Sequence, residues 1–210
     1  VNSLKIGISM RIIKAQNYDE ERDALSHDWS TFSQLTGITL IPILNSDNVL
    51  SFLEKMNLDG VILSGGDSIG VTPKRDKIEL EIINYCINKK LPIFGVCRGM
   101  QILNSFFHGN MTNDLTNLHV KQTHQVKITN NILELFNDKQ YSVNSYHNNL
   151  IHEQSLGDNL KIFAMSEFDN TVEGFFHESL PIIGVMWHPE RTPDEFNQNL
   201  VNTFFKSRLG

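Results

Sequence analysis

The chain has 210 residues, with 18 Lys and Arg against 24 Asp and Glu and a formal net charge of −6, an acidic surplus that argues against a nucleic-acid-binding surface. Hydrophobic residues make up 40% and charged residues 20%, which excludes a disordered segment and fits a globular fold that needs no disulfide or metal staple. No apolar run reaches the roughly 18 residues of a membrane span, no leader peptide is read before the first strand, and the two cysteines, Cys86 and Cys97, stand outside any CxxC pair, as in a reduced cytoplasmic setting.

The elements follow in chain order. Residues 4–10 read as a short buried strand. Leu25, Trp29, Phe32 and Leu35 carry helical spacing over 20–36, with Gly37 as a stop. The polar segment Arg11 to Asp23 before them has no readable period. A strand over 39–44 precedes a helix marked by Val49, Phe52, Leu53 and Met56. Gly60 to Leu63 is strand-like and ends in the turn Ser64-Gly65-Gly66-Asp67. A helix over 75–89, a strand over 91–96 and a helix over 99–107 come next. Strands that are apolar throughout and alternate with helices predict an α/β fold, with a mainly parallel sheet covered by helices on both faces. The stretch 118–175 has shorter alternating pieces and predicts a small antiparallel sheet appended to it. A late core strand over 181–187 and a closing helix from Asp194 to Leu209, with Phe196, Leu200, Val201, Phe204 and Phe205 inward, complete one expected domain over 1–210.

Chemistry concentrates in Gly95-Val96-Cys97-Arg98-Gly99-Met100-Gln101. A buried strand runs straight into a helix with Cys97 at the turn, the form of a nucleophile elbow. The flanking glycines permit a sharp turn, and the helix N-terminus favours a thiolate. The Arg98 amide would point at the same spot and hold a developing oxyanion. Cys86, on a helix face with Ile82, Ile83 and Ile87, reads as packing.

A thiolate hydrolase also needs an acid for the leaving amine. Among eight histidines, His188 directly follows a core strand, and Glu190 is close enough to turn back onto its ring and fix the tautomer. His108, His119, His124, His147 and His152 lack such a partner spacing, with His147 kept as the rival. His27 and His177 read as surface or helix positions.

Cys97 in its Gly-Val-Cys-Arg-Gly setting, Gly65-Gly66 and Trp187-His188-Pro189-Glu190 occur in an order and spacing that resemble class I glutamine amidotransferase domains. More of the chain is similar to one branch, the γ-glutamyl hydrolases of peptidase family C26. The matching stretches are Ser64 to Asp67, Arg75-Asp76 with Glu79, Gly109-Asn110-Met111 with Asp114-Leu115, and Val143-Asn144-Ser145-Tyr146-His147. The resemblance implies a flavodoxin-like fold and a triad of Cys97, His188 and Glu190. It implies an oxyanion hole from the amides of Gly66 and Arg98, and substrate contacts from Gly65, Gln101, Ser145, Tyr146 and His147. It further implies hydrolysis of a small-molecule γ-glutamyl conjugate to glutamate and an amine, through a thioester and without metal or organic cofactor. The connection from Asp67 to Arg75 is shorter than in relatives, which leaves the amine side open: γ-aminobutyrate, a polyamine or a phosphoramidate. In the last case Arg11, Lys14 or Arg75 would meet phosphates, against the alternative that they are solvated surface charges. The competing function is a glutaminase subunit supplying ammonia to a separate synthetase. A catalytically dead binding protein is set aside because the Cys, His and Glu are all present.

Overall fold

The computed structural model describes residues 3–114, 119–134, 136 and 139–207. Leu115, matched above, Leu118, where the antiparallel stretch begins, and Leu209, at the end of the expected closing helix, lie outside the described residues.

The elements are β1 (Lys5–Ser9), β2 (Arg11–Lys14), β3 (Glu21–Ala24), α1 (Asp28–Thr36), β4 (Thr39–Ile43), α2 (Val49–Met56), β5 (Gly60–Leu63), α3 (Pro73–Lys89), β6 (Ile93–Val96), α4 (Arg98–Phe106), β7 (Thr112–Asn113), β8 (Val120–Ile128), β9 (Gln140–Tyr146), β10 (Asn149–Leu150), β11 (Leu160–Ser166), β12 (Val172–His177), β13 (Ile182–Val185) and α5 (Glu195–Lys206). Nine strands form one sheet in the order β4-β1-β5-β6-β13-β12-β11-β8-β9. The first five pair in parallel, and the antiparallel strands expected as an appendage continue the same sheet from β13 outward.

The parallel centre follows from composition. Every residue of β5, β6 and β13 is buried, so each strand has to be apolar on both faces. Side-chain alternation then splits the core in two. Ile62, Phe94 and Ile183 point to the side covered by α1 and α5, where they meet Trp29, Phe32, Phe204 and Phe205. Val61, Ile93 and Ile182 point to the other side, against Leu53, Ile78, Ile82 and Met100 of α2, α3 and α4. Each of these fully buried apolar side chains contributes about 1.5–3 kcal/mol by leaving water. Gly37, at φ 70°, ends α1 in the left-handed conformation expected of a helix stop.

Two expectations are corrected. The helix expected over 20–36 starts only at Asp28, and residues 21–24 pair antiparallel with Arg11–Lys14. The run Glu20 to Asp23 has no apolar face to bury as a helix. Instead the Ala15 amide donates to Glu20 O, and Asp23 accepts from the side chain and amide of Asn45. Leu35, counted in that helical spacing, lies on α1 but is 52% exposed. His177 is buried at the end of β12, where its Nδ1 accepts from the Ser179 and Leu180 amides. Among the described residues no helix is long and apolar enough to cross a membrane.

Candidate active site

The carboxyl ends of β5, β6 and β13 bring the motif residues together. Cys97, between β6 and α4, has φ 51° and ψ −104°, a strained conformation that costs about 1–3 kcal/mol unless its surroundings hold it. Its amide donates to Val185 O at 2.8 Å and its carbonyl accepts from Gln101 N at 3.0 Å. Gly99 explains the close fit of α4 on the sheet: a Cβ there would lie 2.0 Å from Leu63 O.

Because β13 pairs with β6 through Val185 and Val96, the residues just beyond each strand face one another. His188 therefore reaches the sulfur. Its Nδ1 is bonded to Glu190 Oε1 at 2.7 Å, which leaves Nε2 as the ring nitrogen available to the Cys97 thiol. The His188 backbone is clamped by Asn144 of β9, which accepts from its amide at 2.9 Å and donates to its carbonyl at 2.8 Å. Gly65 has to be glycine, since a Cβ would stand 2.6 Å from the imidazole Cε1.

The electrostatics separate the two cysteines. Burial pushes the Cys97 thiol up, but the hydrogen bond and charge of His188 outweigh it and hold the thiol below its ordinary value. Burial pulls His188 down, and its bonds to Cys97 and Glu190 lift it to about 9. Cys86 has burial alone, which pushes it up to about 12.

Two backbone amides flank this centre on segments tied to one carboxylate. Arg98 N is the first amide of α4 and has no intrahelical acceptor. Gly66, at φ 147°, leaves room where a Cβ would strike the Arg75 guanidinium. Arg75 donates to Ser64 O, Gly65 O and Glu79, and Glu79 also accepts from Ser9 Oγ and from Arg98, which reaches Asp76 as well. Arg75 and Glu79 are buried, 2% and 0% exposed. Arg75 is thus neither a solvated surface charge nor available to a phosphate; it is the brace of the 64–66 turn.

A cleft of about 310 Å³ opens above the sulfur, lined by Gly65, Gly66, Cys97, Tyr146, His188 and Glu190 together with Arg11, Trp29, Lys121 and Arg191. Arg11 pairs with Asp67 at 2.9 Å, and Arg191 lies over the Tyr146 ring at 4.2 Å. Lys14 is exposed and does not line the cleft. Gln101, Ser145 and His147 are also not among the lining residues. Gln101 Oε1 accepts from Asn149, Ser145 Oγ donates to His119 O, and His147 turns its two ring nitrogens toward Asn149 O and Glu173. Sequence reasoning missed the Asn144 clamp, the β2–β3 hairpin as a cleft wall, and two of its cations. Arg191 was findable as the residue after Glu190; Lys121 carried no signal of its own.

Comparison with known proteins identifies the family of the chain. The description "Glutamine amidotransferase class-I" matches residues 18–207. The chain is 30% identical to the γ-glutamyl-CDP-amidate hydrolase of Campylobacter jejuni, over 95% of this chain and 96% of that one. It is 29% identical to anthranilate synthase component 2 of Saccharolobus solfataricus, over 78% of this chain and 84% of that one. A glutamine amidotransferase structure from Thermotoga maritima shares the fold with a TM-score of 0.70 at 12% identity, covering 100% of this chain and 99% of that one. The chain belongs to the glutamine amidotransferase class-I family.

Proposed function

We propose that this chain hydrolyses a γ-glutamyl amide, with Cys97 as nucleophile, His188 as proton carrier and Glu190 as the group that orients it. The observation that carries the reading is the relay from a strained Cys97 through His188 to Glu190, with the outer bond at 2.7 Å. The Cys97 thiolate attacks the γ-carbonyl, and the amides of Gly66 and Arg98 receive the oxyanion. The imidazolium of His188 gives its proton to the departing amine. Water, deprotonated by the same ring, then opens the thioester and releases glutamate. Gly65, Gln101, Ser145, Tyr146 and His147 are assigned to the glutamyl side of the site and its support. The whole chain acts as one domain, in a reducing compartment such as the cytoplasm where Cys97 stays a thiol.

For the amine we propose a leaving group that bears phosphate. Arg11, Lys121 and Arg191 wall the cleft beyond the sulfur, and guanidinium and ammonium groups are the natural partners of phosphate oxygens. A relative 30% identical over nearly the full length is a γ-glutamyl-CDP-amidate hydrolase. The proposed reaction is therefore γ-glutamyl-CDP-amidate plus water to glutamate and cytidine diphosphoramidate, a step of capsule biosynthesis. A second reading, an ammonia-supplying glutaminase subunit, is favoured by the likeness to anthranilate synthase component 2.

The purified chain and a Cys97→Ala control are incubated with L-glutamine, γ-glutamyl-γ-aminobutyrate, γ-glutamyl-putrescine and a γ-glutamyl nucleotide amidate, and released glutamate is measured. Fast, Cys97-dependent release from the nucleotide amidate and little from glutamine is expected. Slow release from glutamine alone, raised by cell extract, would favour the subunit reading instead.

A further inference from the structure

Three histidines and a glutamate converge at a place of which the proposed function uses only His147. His119 precedes β8, His124 lies on it, His147 follows β9 and Glu173 sits on β12. Their side chains are nearly dry, with exposures of 1%, 8%, 2% and 0%. Glu173 Oε1 is 3.5 Å from His147 Nε2 and 3.8 Å from His119 Nδ1, and Oε2 is 3.6 Å from His124 Nε2. These separations exceed hydrogen-bond lengths. Both Glu173 oxygens, His147 Nε2 and both His124 nitrogens have no hydrogen-bond partner among the described residues.

The far sides of two rings decide what the near sides are. His119 Nε2 is 2.8 Å from Asp169 Oδ2, and His147 Nδ1 is 3.0 Å from Asn149 O. A carboxylate and a carbonyl only accept, so each of those nitrogens carries a hydrogen. In neutral rings the inward atoms, His119 Nδ1 and His147 Nε2, are then lone pairs. They face Glu173, whose carboxylate is also acceptor-only. Acceptors crowded against acceptors in a dry interior are costly, and a cation among them removes the conflict.

We propose that His119 Nδ1, His147 Nε2 and the Glu173 carboxylate bind one Zn²⁺-type ion, with His124 Nε2, 3.6 Å from the other carboxylate oxygen, as an outer partner of Glu173. Tetrahedral bonds of about 2.0–2.1 Å set neighbouring ligand atoms about 3.3–3.4 Å apart, close to the 3.5 and 3.8 Å that separate Glu173 Oε1 from His147 Nε2 and His119 Nδ1. The ligand atoms of His119, His147 and Glu173 lie within 4.8 Å of one another. Imidazole nitrogens with one carboxylate suit zinc. Asp169 and the Asn149 carbonyl are the outer partners that orient metal-binding histidines. Three protein ligands leave the fourth position of the ion to a water. The ion would tie the segment before β8, the segment after β9 and β12 together behind residues 145–149, beside Cys97.

The test begins with metal analysis of the purified full chain, followed by chelator stripping and titration with Zn²⁺ or Co²⁺. About one ion per chain is expected, with the melting temperature rising by about 5–10 °C at a hundredfold excess over Kd. His119→Ala and Glu173→Gln should lose the ion, and Cys97→Ala should keep it. Co²⁺ should give the visible bands of a four-coordinate site without the strong near-ultraviolet band of a thiolate ligand, a readout that needs no variant to fold. A wild-type chain that takes up neither ion and does not shift in melting would overturn the proposal, leaving protons between the histidines and Glu173. Metal lost from Cys97→Ala but kept by His119→Ala would overturn it too, by placing the ion in the cleft.

Discussion

Cys86 and Cys97 are the chain's two cysteines, both buried, one on α3 and one at the turn into α4. Cys86 sits among Ile78, Ile82 and Ile83 with nothing to stabilise a charge, and its thiol is pushed up to about 12. Cys97 sits at a helix N-terminus with His188 against it and is held below its ordinary value. Burial acts on both in the same direction. Reactivity therefore comes from what the fold aims at the sulfur, and β13 supplies that through its register with β6.

The largest expected break in this contrast is chemical. Cys97→Ala should lower kcat on the γ-glutamyl substrate by about 10⁴-fold or more, while Cys86→Ala should leave it within about threefold and cost about 1 kcal/mol of stability as a small cavity. Steady-state glutamate release and urea unfolding read the two effects. The next effect concerns the backbone that holds the strained turn. Gly99→Ala would drive a methyl to 2.0 Å from Leu63 O, and a loss of about 3 kcal/mol or more is expected in the unfolding midpoint; a native-like midpoint would contradict the close fit of α4 on β5.

The pH profile sharpens the comparison further. The folded pKa of His188 is raised from 6.5 to about 9, so its protonated form and the stability it contributes are complete below pH 6.5 and are lost as pH rises through about 9. Turnover should fall on the same alkaline limb, since the leaving amine needs that proton. Glu190→Gln removes one group that raises the pKa and should move this limb to lower pH while reducing kcat by about 10²–10⁴-fold. An unmoved limb would contradict the bond to Glu190. The smallest effect is selective labelling: at neutral pH iodoacetamide should modify Cys97 in the native chain and leave Cys86 untouched until unfolding, read by peptide mass analysis.

Much of this was legible in the sequence because it is local. β5, β6 and β13 are apolar at every position, and the elbow glycines, Cys97, and the His188–Glu190 spacing each lie within a few residues. What stayed hidden depends on distant register. The polar hairpin of β2 and β3 has no period that marks it, yet it supplies Arg11 to the cleft wall. Arg75 reads as a surface charge on a helix until α3 packs it against Glu79 and the 64–66 turn. His119 before β8, His147 after β9 and Glu173 on β12 are far apart in sequence and meet only because those strands belong to one sheet.

The covalent route through Cys97 is tested most directly by rapid acid quench of the enzyme with its γ-glutamyl substrate, followed by mass analysis of the peptide that carries Cys97. The account predicts one glutamyl group attached to Cys97 during turnover, absent from Cys86 and formed in step with amine release. Glutamate release at an undiminished rate from Cys97→Ala, with no adduct on the wild-type peptide, would contradict it.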